Sequence, residues 1–339
     1  MNNFDIYRTE DGSVSKYIHE DGSETAIKLV KSMQNILNPL TNEIESKFSN
    51  RNKYSIFISS SVGCYMKCKF CHLTLKNAEH IKLENEAVLN NLKEALKDMI
   101  LFNPELKNKY IKLSWMGMGD AMNKPEMVSE VSLRFLDWVF ENNFACGLDG
   151  VDLSTVMPKI KNKSWIKIYH NLEESLKKYS INPVYKMDNI EYTNNEYKNR
   201  NIFRLFYSVE SAIQEKRENV IPNAMLIKDA VSIFKEYEDN GKYPLILHHL
   251  LVDGLNDSEE ELDSLIELVK NNFADNELRI LRYNYCIKSL YKESDKFINQ
   301  IRKLSDNLNF IKVQVSPGTE VSAACGQFIV KDFIRLKKK

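Results

Sequence analysis

Glycine and proline are scarce in this 339-residue chain, at 11 and 8 residues. That shortage argues against long disordered linkers built from Gly, Pro or Ser. Net charge is missing too: Lys+Arg and Asp+Glu both number 47, so no global positive field draws the protein onto nucleic acid, and any such binding must be local. No run of eighteen apolar residues occurs, and the opening Met1–Gly12 lacks a basic segment followed by an apolar one, so a soluble, cytoplasmic protein is expected. Cysteine numbers only six, three of them within eight positions; that grouping suits a reducing compartment and a metal site better than a disulfide framework.

Apolar content of 43% is enough for one core of ordinary size. Asp11-Gly12 between two β-prone stretches, with Asp21-Gly22 after them, predicts a small N-terminal hairpin within a hairpin/helix extension over residues 1–50. From residue 51 to 339, β-prone runs at Tyr54–Val62, Tyr110–Met116, Val151–Val156, Phe203–Val209, Tyr243–Val252 and Leu278–Tyr283 alternate with helix-patterned stretches near 82–101, 126–142, 163–178, 224–240, 258–273 and 290–308. Six strand–helix units predict an α/β fold, a partial (β/α)6 barrel with right-handed crossovers and an active site at the carboxyl ends of the strands. The Asn-, Lys- and Tyr-rich Lys161–Arg200 reads as an insertion or lid.

Directly after the first strand of the barrel stands Cys64-Tyr65-Met66-Lys67-Cys68-Lys69-Phe70-Cys71, spaced C-x3-C-x2-C. Three thiolates can hold a [4Fe–4S] cluster and leave one iron open. The alternative is a three-cysteine zinc site completed by His72 or His80. Met116-Gly117-Met118-Gly119-Asp120 ends the second strand: its glycines permit close backbone approach, and Asp120 is an acceptor for a ligand ammonium or a helix cap. Ser154, Ser208 and Asn284 are short polar residues at three further strand ends, suited to a cofactor or to turns. Val252–Asp257 reads as a turn leading to a helix N-cap at Ser258. Ala323-Ala324-Cys325-Gly326-Gln327 reads as an exposed tight turn carrying a reactive thiol, with a buried structural cysteine as the alternative.

Taken in order, these motifs resemble those of the RlmN/Cfr family of radical S-adenosylmethionine (SAM) methyltransferases, which modify an adenine of ribosomal RNA. The likeness runs from about Tyr54 to Asp332 and adds Ser59–Cys64, Leu153–Ile160 and Tyr207–Glu210 to the motifs above. It implies a cluster on Cys64, Cys68 and Cys71, with SAM on its open iron and Phe70 packing near the adenine. Gly119, Asp120, Ser154, Ser208 and Asn284 are the implied SAM contacts. Cys325 is the implied methyl carrier: one SAM methylates its thiol, and an adenosyl radical from a second makes the methyl group reactive toward an sp2 carbon. Flavodoxin or ferredoxin is the implied electron donor, and RNA the implied partner.

The resemblance breaks at Phe57, where the family has the second cysteine that resolves the covalent adduct. Glu210 replaces a histidine, and Gln314–Gly318 replaces a basic stretch. Of the remaining thiols, Cys286 follows the sixth strand on the active-site side and is a candidate substitute, whereas Cys146 precedes the third strand and belongs to the opposite end. These departures keep two rivals open: an enzyme acting on a small molecule, nucleotide or peptide, and a non-catalytic metal- or RNA-binding protein.

Overall fold

The computed structural model describes residues 4–29, 33–37, 44–48, 52–160, 162–179, 184–187, 190–193, 201–239, 242–284 and 291–314. Strands β1 (Phe4–Arg8), β2 (Val14–His19) and β3 (Glu24–Leu29) form an antiparallel meander, where the two Asp-Gly signals predicted one hairpin. Hairpin β4–β5 (Met33–Leu37, Ile44–Phe48) follows. Then come β6 (Lys53–Phe57), the short ribbon β7 (Ser61–Val62) with β8 (Ile81–Lys82), and α1 (His72–Leu75) between them. Next are α2 (Asn85–Phe102), β9 (Tyr110–Trp115), α3 (Pro125–Glu141), β10 (Gly147–Thr155) and α4 (Ser164–Leu176). Hairpin β11–β12 (Val184–Met187, Ile190–Thr193) falls within the expected insertion. The chain continues through β13 (Phe203–Ser208), α5 (Gln214–Val220), α6 (Ile227–Glu238), β14 (Ile246–Leu250), α7 (Glu259–Asn272), β15 (Leu278–Leu281), α8 (Phe297–Asn307) and β16 (Ile311–Gln314).

One ten-stranded sheet runs in the order β1-β2-β3-β6-β9-β10-β13-β14-β15-β16. From β6 onward all pairs are parallel, so the six expected barrel strands are present in the expected order, and β16 adds a seventh. Its four residues, Ile311–Gln314, are too few to give a periodicity signal after α8. At the other margin β3 pairs antiparallel with β6, so the meander continues the sheet rather than standing apart from it. Helix α2 fastens it there: Asp98 accepts from Tyr17 Oη at 2.9 Å and pairs with Arg8.

Alternation sorts the strand residues onto two faces. Ile56, Leu113, Leu153, Leu205, Leu247 and Ile280 join the core shared with Leu96, Phe135, Trp165, Phe234 and Leu265 of the helices. The opposite face is charged and polar. At the amino ends of its strands Lys53 meets Asp149 at 2.6 Å, Lys112 meets Asp152 at 3.0 Å, and Arg204 bridges both aspartates. Burial works against the Asp152 charge, but Arg204 and Lys112 hold its carboxyl well below the usual range. This ion network plugs the amino-terminal mouth, and the carboxyl ends are left to the loops.

Candidate active site

The cysteine loop leaves β6 through Ser59, Ser60 and Ser61. It turns at Gly63, whose φ of +64° and distance of 2.2 Å from a built Cβ to the Glu79 carbonyl oxygen leave no space for a side chain. The loop after β13 grips it from outside: Lys69 N donates to Val220 O at 3.0 Å, Asn223 Nδ2 donates to the Tyr65 carbonyl at 2.5 Å, and Met66 is buried against Val220, Ile221 and Ala224. Cys71 caps α1, its carbonyl accepting from Thr74 N at 3.0 Å.

Burial is the chief influence on all three thiols. Cys64 is pushed up to about 12, with Cys71 and Asp120 adding to the effect. Cys68 is raised well above the ordinary thiol range by burial, then by Cys71 and Cys64. In Cys71 the amides of Leu73 and Thr74 offset part of the rise. Buried neighbouring thiols of this kind, two of them further discouraged from ionising by another cysteine, form a donor set that gains from an incoming positive charge, which fits a metal cluster. Among the described residues, no three His, Cys, Asp or Glu side chains are gathered as ligands of a single ion. A four-iron cube takes its thiolates on separate irons, so it needs neighbouring thiols rather than convergent ones. His80 instead packs against Tyr65, with ring centroids 5.7 Å apart.

The glycine strip lies where the sequence places it, but what its glycines admit differs from expectation. A Cβ on Gly117 would stand 2.6 Å from the Ile58 carbonyl oxygen, and one on Gly119 (φ +89°) would stand 2.3 Å from Ser61 Oγ. The missing side chains make room for the entry to the cysteine loop, so close approach to a ligand is not what these contacts show. The Asp120 carboxylate is likewise engaged by the chain itself: Oδ1 accepts from Met122 N at 3.1 Å, and Oδ2 accepts from Thr155 Oγ1 at 3.0 Å and Val156 N at 2.9 Å. This is the capping alternative, extended to tie the strip to the end of β10. Burial nevertheless raises Asp120 to about 6, against the pull of these three donors.

Ser154 and Ser208, expected at neighbouring strand ends, are brought together with their hydroxyls 3.2 Å apart. Asn284 follows β15 on the same side of the sheet. Phe70 packs with Met66, Val220 and Ile221. Phe57, at the end of β6, packs against the same small cluster as Cys64 and Cys71, and its ring lies 4.2 Å from Lys28 Nζ. Cys146 is exposed just before β10, at the opposite end as expected. Cys286 and Cys325 lie outside the described residues. The turn after β14 is structural as read: Ser258 caps α7, accepting from Glu261 N at 3.3 Å.

Two buried residues escape a reading of the sequence. Arg217 donates to the carbonyls of Val156 (2.7 Å), Ser208 (3.4 Å) and Val209, stitching the ends of β10 and β13. Asn256 donates to Glu210 O and Leu250 O, both at 2.6 Å, and accepts from Val252 N, joining the ends of β13 and β14. Glu210 sits between them at φ +56° with Oε2 accepting from Leu250 N; burial pushes it to about 7, while Leu250 N and Arg217 draw it back. The sequence marks Glu210 and Asn256 only as members of loops that follow strand ends, and it does not mark Arg217, on α5, at all.

Among solved structures, a radical SAM methyltransferase from Sphaerobacter thermophilus superposes with a TM-score of 0.63 at 17% identity, covering 96% of this chain and 81% of that one. The parallel half-barrel with its cysteine loop after the first parallel strand is therefore a radical SAM fold. No family model matches the chain. Among curated proteins it is 24% identical over 285 residues to a probable dual-specificity RNA methyltransferase RlmN of Clostridioides difficile, covering 81% of this chain and 69% of that protein. It is 23% identical over 331 residues to the protein of the same description from Dictyoglomus turgidum, covering 94% and 76%. Within that fold, these likenesses support reading the chain as a diverged RlmN/Cfr-like radical SAM enzyme.

Proposed function

We propose that the protein binds a [4Fe–4S] cluster through Cys64, Cys68 and Cys71, binds SAM beside it, and transfers a methyl-derived carbon through Cys325 to an sp2 carbon, with adenine in RNA as the acceptor. The observation that carries this reading is the loop itself: three neighbouring thiols after the first parallel strand with Asp120 close by, and the Ser154–Ser208 pair at the ends of neighbouring strands. When bound, the cluster supplies one electron to SAM. This chain's residues do the rest: the hydroxyls of Ser154 and Ser208 offer hydrogen bonds to a carboxylate or ribose, Phe70 offers an apolar face, and Cys325 offers the thiol.

A flavodoxin or ferredoxin as the source of the electron, and a cytoplasmic setting, follow from this chemistry. Among the described residues no helix is long and apolar enough to cross a membrane. The deciding experiment is mass spectrometry of the Cys325 peptide after anaerobic incubation with SAM: a thiol gaining one methyl group supports the assignment, and an unmodified thiol in protein that cleaves SAM overturns it. Phe57 favours one second reading, a diverged enzyme acting on a smaller acceptor, because a phenyl ring supplies neither base nor thiol.

A further inference from the structure

The protein carries no net charge, so an RNA substrate must find local cations. Residues 61–84 hold Lys67, Lys69, Lys76 and Lys82 against Glu79 and Glu84. They lie on the cysteine loop, at the end of α1 and on the β7–β8 ribbon, next in sequence to the candidate cluster ligands. Lys82 and Ile81 stand out on β8, with Ile81 47% exposed. Beside them Tyr65 and His80 lie ring against ring at 55°. The Tyr65 hydroxyl is fixed to Asn123 Oδ1 at 2.9 Å, so that ring is held in place before any ligand arrives.

Lys124 lies next to the pair. Its ammonium is anchored by the carbonyls of Ser60 (3.2 Å) and Leu83 (2.9 Å), which position it without cancelling its charge. Lys67 and Lys82 likewise form no ion pair among the described residues, whereas Lys163, Lys178, Lys216 and Lys303 on other surfaces each meet a carboxylate. Partial burial, then Lys124 and Lys82, hold His80 below its usual range, and His80 stands exposed beside the two cations.

Ordered aromatic faces interleaved with unneutralised cations are the combination that grips single-stranded nucleic acid: rings take bases and ammonium groups take phosphates. We propose that Tyr65, Lys67, His80, Lys82 and Lys124 form the docking rim for a single-stranded RNA segment, delivering it to the mouth of the half-barrel. This rests on the RNA reading above and adds the surface that receives the RNA.

The test is fluorescence polarisation of a labelled, unstructured oligoribonucleotide with the full chain across a salt series. Lys82→Glu should weaken binding about tenfold at low salt and flatten the log–log salt dependence by about 0.7 for each phosphate no longer neutralised. His80→Ala should weaken binding about fivefold with the slope unchanged, because a ring holds a base rather than a phosphate. Lys303→Glu, on α8, is the matched control and should bind as the wild type does. If Lys82→Glu and His80→Ala bind like a binding-competent wild type, the rim is wrong and the RNA reading survives. A wild type that does not bind overturns both. Equal weakening by Lys303→Glu overturns the rim, since net charge alone then explains the loss.

Discussion

Replacing Asp120 by alanine sets two opposed energies against each other, and pH separates them. The carboxylate takes hydrogen bonds from two buried amides, Met122 N and Val156 N, and from the Thr155 hydroxyl. The hydroxyl can turn to another partner; the amides cannot, and each buried donor left unpaired costs about 1–3 kcal/mol. Against that loss stands the cost of burying a charge. Asp120 moves from 3.8 to about 6 on folding. A carboxyl with a raised folded value contributes stability that is present below the unfolded value and lost as pH rises through the folded one. The burden is about 1.5 kcal/mol near pH 5 and about 3 kcal/mol near pH 8.

Alanine abolishes that burden, so Asp120→Ala should cost more stability near pH 5 than near pH 8, by about 1.5 kcal/mol. Urea unfolding of the metal-free wild type and variant at both values gives the difference directly, and acid effects shared by the two proteins cancel. A deficit that grows toward pH 8 would refute the reasoning, because it requires a folded carboxyl held below 3.8 by a nearby cation. Repeating the measurement with SAM present asks whether a ligand ammonium supplies such a cation.

Three further outcomes are expected. Anaerobically reconstituted protein should hold four irons and four sulfides and lose them when Cys64, Cys68 or Cys71 becomes alanine; stoichiometric zinc without sulfide would sink the cluster assignment. His248 and His249 on β14 are buried and held at about 3, chiefly by burial, with Arg279 next for the first and Arg217 for the second. A base with a depressed folded value stabilises above its unfolded value, here 6.5, and that contribution drains as pH falls, so the stability difference between wild type and His249→Gln should shift against the wild type by about 1.4 kcal/mol for each pH unit from 6 down to about 4. Cys286→Ala should trap a substrate adduct on Cys325 that the wild type does not accumulate, and normal turnover would exclude Cys286 as the resolving thiol; Phe57→Cys, the converse change, should speed release from an adenine-containing RNA.

The repeating strand–helix pattern is legible because each unit buries one apolar stripe. Leu113 and Leu153 alternate with polar neighbours, and the helices carry matching faces. The cysteine spacing is legible because it is local. Less visible are roles created only by the meeting of distant segments. Gly117 and Gly119 suggest space for a ligand, and it is Ile58 and Ser61 that fill it. Asp120 suggests a ligand contact, and it is β10 that arrives beside it with Val156. Arg217 resembles one charge on a surface helix, yet it is buried and holds carbonyls from two strand ends. No periodicity marks such a residue. The third meander strand follows from the second Asp-Gly turn, which in sequence looks like an ending rather than another reversal.

The paired charges at the amino ends of the strands give the half-barrel a floor. Lys53, Arg204 and Lys112 share the carboxylates of Asp149 and Asp152 there, so among the described residues that end is closed by a buried ion network. Traffic therefore uses the carboxyl side in both directions. On the reading proposed above, an acceptor bound at Ser154 and Ser208 comes in from the side of the cysteine loop, and the product leaves by that side before the next acceptor enters. A reductant that docks over that loop competes for the doorway too. Such an enzyme works as a vestibule with a single entrance, where turnover is paced by who is standing in it as much as by the chemistry inside.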